Sequence, residues 1–258
     1  MTVPRTRALR REATWDGSLY RGHPLFWPVA PFAARFEAFT SFPTAAELTS
    51  ALAPFSHIEF RTQLVNQRRG RQRHVEPPYE DAIASGSVPT RAGSWHDFWN
   101  ALVWAAFPSS KRLIHALQRE LVAAARARGE PGKRLPLHDM LALLDEGGVV
   151  VLSPGERPVE HDAALTLDPE RDRALVFGHA VFESIAIQGP FPLVRAIWLP
   201  APSELDRADG AAIVRAVDAL LTATLASPER PSNPKGLSRV ALDAVAACGP
   251  TGKPEPTR

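Results

Sequence analysis

The chain predicts an α+β fold: a helix-rich single domain with a small β-sheet and an irregular, Pro-rich N-terminal segment. Three observations carry that prediction. Apolar residues recur at helical spacing in several stretches between residues 94 and 226. Short apolar or alternating runs between them have the length of strands, and Pro24, Pro28, Pro31 and Pro43 interrupt the first 54 residues among aromatics. With 258 residues, 45% of them hydrophobic, the chain can bury one substantial core. The expected division is an irregular segment over 1–54 packed on that core, a main globular domain over 55–248, and a disordered tail over 249–258.

A short helix is expected near Ala45 to Ala53. A strand with one buried face follows from His57 to Leu64, where Ile58, Phe60, Thr62 and Leu64 alternate with polar residues. Ser94 is an N-cap for a helix that Pro108 ends. Trp95, Phe98, Trp99, Leu102, Val103, Trp104 and Phe107 leave that helix almost no polar face, so it is the candidate core helix. Asp97 stands where a capping box places its acidic partner. From Ser109 to Arg128 the pattern is amphipathic, with Leu113, Leu117, Leu121 and Ala124 inward and Lys111, His115, Arg119 and Arg126 on the more exposed faces. A third helix through Leu137, Met140, Leu141 and Leu144 closes at Gly147-Gly148 and leads into a strand, Val149 to Leu152. The strand Ala174 to Phe177 passes through Gly178 into a helix from His179 to Ile187. Another strand, Leu193 to Leu199, precedes a helix over 209–226, and beyond Ser227 the chain reads as turns.

Composition narrows the function. Thirty Lys and Arg against 28 Asp and Glu leave a formal charge of +2, too little to drive polyanion binding without a local patch. Such a patch is offered by Arg61, Arg68, Arg69, Arg71, Arg73 and His74, with Lys111, Arg112 and Arg119 farther on. No recognised nucleic-acid motif accompanies it, and a short Arg-rich loop is more often simply solvated. Cys248 is the one cysteine, so an internal disulfide and a Cys-based zinc site are both excluded, which suits a reducing, cytoplasmic setting. The basic N-terminus lacks the apolar stretch of an export signal, and the run Ala101 to Phe107 is far shorter than the roughly 18 residues of a membrane span. There is no Gly-x-Ser-x-Gly elbow, Walker loop or dinucleotide fingerprint.

Tyr79-Glu80, Val88-Pro89-Thr90-Arg91, the run Trp95 to Trp104, Phe107-Pro108 and Lys111 come in an order that resembles an uncharacterised bacterial family, domain of unknown function 3025. Leu143 to Gly147 and Val176 to Ala180, with Glu183, fit the same pattern. The resemblance spans residues 55–190, leaves the C-terminal third aside, and implies no activity, cofactor or catalytic residue.

Chemistry is therefore read from side chains. His96 with Asn100, and His179 with Glu183, are i,i+4 pairs that each project two polar groups from one helix face. If the two helices lie side by side, with Asp145 or Glu146 delivered from the turn after the third helix, the groups can converge. Two imidazoles and one or two carboxylates are a ligand set for Zn, Mn or Fe, and such an ion activates water. Thr90 and Arg91 precede a helix start, where an anion is favoured. One reading is thus a metal-dependent hydrolase acting on an anionic substrate: Thr90 and Arg91 bind the anion, His96, His179 and Glu183 bind metal, and His96, Asn100 and Asp145 serve catalysis. The other makes the same residues a structural hydrogen-bond network, with Arg91 paired internally to Asp145, Glu146 or Glu183, in a non-catalytic protein that binds nucleic acid or an acidic partner.

Overall fold

The computed structural model describes residues 14–63, 79–130, 132–154, 164–187, 193–201 and 209–249. In agreement with the sequence, the fold is helix-rich α+β with an irregular, proline-interrupted N-terminal region. That region consists of 3-10 turns and a one-turn helix, α1 (Ala30–Ala33), through which Leu25, Phe26, Val29 and Phe36 enter the core. Helix α2 (Ala45–Leu52) starts at a full capping box: Glu47 N–H donates to Thr44 Oγ1 and the Glu47 carboxylate accepts from Thr44 N–H. Strand β1 (Glu59–Thr62) is shorter than its alternation predicts. Ile58 and Phe60 are buried but Thr62 is exposed, and Leu64 lies outside the described residues.

Helix α3 (Tyr79–Ala84) and strand β2 (Ser87–Thr90), which pairs in parallel with β1, were not legible in the sequence. At six and four residues they are too short for periodicity to register. The candidate core helix is α4 (Trp95–Ala106), capped by Ser94 Oγ, with Trp99 and Trp104 almost wholly enclosed. Trp99 stacks on Phe26, which ties the N-terminal turns to the core.

Helix α5 (Pro108–Ala127) corrects the sequence reading, because its inward face differs from the expected one. Ser110, Lys111, Ile114, His115, Gln118 and Ala125 are buried, while Leu113, Leu117 and Leu121 are only half-buried. Two of the polar groups have partners inside: Lys111 meets Asp145, and Ser110 meets Asp218. A period of 3.6 locates a stripe but does not reveal that a buried charge has its counter-charge waiting.

The chain continues through α6 (Pro136–Gly147), β3 (Gly148–Ser153), β4 (Ala164–Leu165), β5 (Arg173–Val176), α7 (His179–Ala186), β6 (Leu193–Pro200) and α8 (Gly210–Ala226). A strand β7 (Ser238–Ala241) and a helix α9 (Leu242–Ala247) then occupy the stretch expected to be turns. Among the described residues, a five-stranded mixed sheet has the order β4-β7-β6-β3-β5. β3 is an interior strand, parallel to β6 and antiparallel to β5, and buried from Gly148 to Leu152. The antiparallel pairing of β7 on β6 and the packing of α9 against β5 explain why Cys248 is enclosed rather than at a loose end. Its carbonyl accepts from Ala174 N–H at 2.9 Å, and burial pushes its thiol up to about 11, the opposite of a reactive thiolate.

Helix α5 has no side-chain cap of its own and starts at Pro108. Asp218 of α8 supplies the cap instead, accepting Ser109 N–H at 3.1 Å and Ser110 N–H at 2.8 Å from a buried position. Asp218→Ala is expected to cost about 2 kcal/mol of unfolding free energy in urea titrations, with Asp218→Asn recovering part of it. A loss below about 0.5 kcal/mol would show that water caps the helix as well as Asp218 does.

Candidate metal centre

Helix α4 presents His96 in its first turn, and α7, packed alongside, begins with His179. The end of α6 arrives between them because two glycines allow backbone to touch backbone. Phe177 N–H and Gly178 N–H both donate to Gly148 O, at 3.0 and 2.8 Å. A Cβ on Gly178 would stand 2.4 Å from Gly148 N and 2.5 Å from Glu146 O, so only glycine fits this approach. The contact sets His179 against Asp145 and Glu146.

The imidazoles meet edge to face, with His179 Nε2 and His96 Nε2 3.0 Å apart. Each ring is oriented from behind. His96 Nδ1 is 2.9 Å from Glu183 Oε2, and His179 Nδ1 is 2.9 Å from the main-chain carbonyl of Asp145. Both acceptors require Nδ1 to carry the proton, which leaves the two facing Nε2 atoms as lone pairs in the neutral rings. Glu146 Oε2 lies 3.4 Å from His179 Nε2. Ligand atoms of His96, Glu146 and His179 all fall within 4.8 Å of one another.

The two rings differ electrostatically. Burial, with the Lys111 charge nearby, pushes His179 down to about 3, so it stays neutral at neutral pH. The hydrogen bond to Glu183 raises His96 against the cost of its partial burial. Burial, together with nearby acidic groups, raises the carboxyl of half-exposed Glu146.

The sequence-predicted residues divide accordingly. His96, His179 and Glu183 come together, but Glu183 stands behind His96 on Nδ1, and it is Glu146 whose carboxylate faces the pair of Nε2 atoms. Asp145 contributes its backbone carbonyl, while its side chain turns away to Lys111, with His115 Nε2 3.9 Å from the second oxygen. Asn100 directs its amide N–H to the Tyr79 hydroxyl at 3.4 Å. Arg91 pairs with none of Asp145, Glu146 and Glu183. Its Nε and Nη2 donate to the Asp97 carboxylate at 2.9 and 2.7 Å, and its main-chain N–H does so at 2.6 Å. Asp97 therefore does not reciprocate the Ser94 cap as a capping box would, because Arg91 claims it. Thr90 is buried and spends its hydroxyl on Val88 O.

Of the basic cluster, Arg68, Arg69, Arg71, Arg73 and His74 lie outside the described residues. Arg61 pairs with Glu59 and Arg119 with Asp81, and buried Lys111 cannot reach a phosphate. Sequence reasoning missed Lys111 and His115 as interior groups. Their i,i+4 spacing, with Ile114 between them on the same face, was the available signal.

The family model described as protein of unknown function (DUF3025) matches residues 62–251. The chain belongs to this family. The DUF3025 match contains His96, Glu146, His179 and Glu183, and it also takes in α8, β7 and α9, so it reaches through the C-terminal third that the resemblance left aside. No curated protein and no solved structure matches the chain. Among the described residues, no helix is long and apolar enough to cross a membrane.

Proposed function

We propose that His96, His179 and Glu146 hold a divalent metal ion, Zn, Mn or Fe, in a hydrolytic enzyme that acts on an anionic substrate. The observation that carries this reading is the pair of Nε2 atoms 3.0 Å apart, each on a ring whose Nδ1 is committed to an acceptor. Two lone pairs repel unless a cation stands between them. Ligands at about 2.0–2.1 Å around a tetrahedral ion are separated by roughly 3.3 Å, close to the spacing of the two rings. A carboxylate behind one histidine and a backbone carbonyl behind the other are the usual outer supports of metal-binding imidazoles.

Charge supports the same reading. Lys111 offsets Asp145 and Arg91 offsets Asp97, so Glu146 and Glu183 remain as two negative charges beside the imidazoles. A 2+ ion balances them. When bound, it would polarise a substrate oxygen and acidify water at the open edge of the site. Arg91, 54% exposed and close enough to feel Glu183 and Glu146, has guanidinium N–H groups beyond those given to Asp97 for the negative charge of a substrate.

Metal analysis of protein purified without chelator, followed by titration of the stripped protein with Zn²⁺ and Mn²⁺, tests the centre. About one ion per chain is expected, lost in folded His96→Ala and His179→Ala. Glu183→Gln, which changes only the group behind a ligand, is expected to weaken binding roughly 10- to 100-fold. Stripped wild type that takes up no ion would leave a single proton shared between the rings, and the metal reading would be wrong. For the substrate class, metal-restored hydrolysis of an anionic chromogenic ester is expected to show a raised KM in Arg91→Ala with kcat little changed.

A further inference from the structure

We infer that Lys111 is a positioning residue of this centre, acting through Asp145 on the last turn of α6; the inference rests on the metal reading for its function but not for its geometry. Lys111 is fully buried, its ammonium on Asp145 Oδ1 and 5.5 Å from the centre of the Trp104 ring. His115, one turn farther along α5, stacks on the same Trp104 at 5.6 Å and brings Nε2 to 3.9 Å from Asp145 Oδ2. The Asp145 side chain is thus gripped from α5 while its carbonyl faces His179 Nδ1 and the next residue, Glu146, faces His179 Nε2.

Packing alone does not account for this pair. Apolar side chains of the same volume fill such a space without the cost of desolvating two charges, and frequently give a more stable protein. What an ion pair adds is direction. Carbonyls in the last turn of a helix have no partner within the helix, and their aim depends on how that turn is held. Here the Asp145 carbonyl decides which His179 nitrogen carries the proton, and so whether Nε2 is free to bind. The ion pair has a second consequence, since an Asp145 carboxylate occupied by Lys111 does not compete with Glu146 for a cation.

The test uses Lys111→Met combined with Asp145→Asn, which leaves no uncompensated charge inside and keeps the backbone carbonyl. The single variant Lys111→Arg tests conservative rescue, and Asp218→Ala serves as a variant weakened away from the site. Long-range nitrogen–proton NMR of the imidazoles is read on metal-free protein, and Zn²⁺ affinity on the same samples. The expected result is a single Nδ1–H tautomer of His179 in wild type and Asp218→Ala, a mixture of tautomers in the double variant, and Zn²⁺ binding roughly 10- to 100-fold weaker in the double variant alone. Partial return of both readouts in Lys111→Arg would add support. An unchanged His179 tautomer in the folded double variant overturns the inference, as does an equal loss of Zn²⁺ affinity in Asp218→Ala. If wild type binds no Zn²⁺, the metal reading fails by itself, and the tautomer readout still decides the role of Lys111.

Discussion

Asp145→Ala is expected to lose about 3–5 kcal/mol of unfolding free energy, the range for removing one partner of a buried ion pair. The Lys111 ammonium is fully enclosed, and Asp145 is its hydrogen-bonded counter-charge. Burial alone would push the Asp145 carboxyl up. The Lys111 charge, with His115 and His179 around it, outweighs that and holds the carboxyl well below the usual carboxylate range. Without the carboxylate, Lys111 must lose its proton or draw water into the core. The contrast that isolates the electrostatic part is Lys111→Met with Asp145→Leu, in which neither charge remains. Chemical denaturation should find that double variant markedly more stable than Asp145→Ala, with a coupling above about 2 kcal/mol. If Asp145→Ala loses less than about 1 kcal/mol, water reaches Lys111 and the ion pair does not organise the core.

The second large effect is acid destabilisation through His115. Burial pushes this ring down to about 4, against about 6.5 in an unfolded chain. Above about pH 6.5 the ring is neutral in both states and contributes no pH dependence. As the pH falls below that value the unfolded chain takes up a proton that the folded protein refuses, so stability drops, and the drop levels off below about 4. At 1.36 kcal/mol per pKa unit, the loss from this one ring across the window is about 3 kcal/mol. His115→Phe keeps an aromatic ring against Trp104 and removes the titration. The difference between wild-type and variant stability, measured by urea unfolding at intervals from pH 7 to pH 4, should therefore change by about that amount. Parallel curves would mean that His115 is protonated inside the folded protein.

Both effects arise at the place where the sequence was read least well. Lys111 and His115 are polar residues on an otherwise amphipathic helix, and by pattern they belong outside. The burial of Lys111 depends on a carboxylate 34 residues farther along the chain. By contrast, α4 was legible because six large apolar residues, with Phe107 at its C-cap, leave it almost no polar face and only the core as a place to sit. The start of α7 was legible for a similar reason, since a short apolar run, a glycine and a renewed helical pattern mark a strand turning into a helix. The i,i+4 pairs were half legible. Spacing placed His96 and Asn100 on one face of α4, but only the approach of α3 shows that Asn100 is taken by Tyr79. Spacing also joined His179 to Glu183, whereas the packing of α4 on α7 puts Glu183 behind His96 rather than in front of it.

The sequence by itself determined the helix-rich α+β class, the enclosed helix that carries His96, the strand-to-helix turn that carries His179, and family membership on an ordered set of residues. These are local properties, written in period, caps and turn residues. Tertiary structure alone decided that the two imidazoles face each other through Nε2, that Glu146 and not Asp145 offers the carboxylate, that Arg91 goes to Asp97, and that β7 and α9 complete the sheet at the C-terminal end. The physical reason is that hydrogen bonds and ion pairs act over a few ångströms. Which partner a polar group meets is settled by the packing of helices and strands far apart in sequence, and no pattern within one element encodes it.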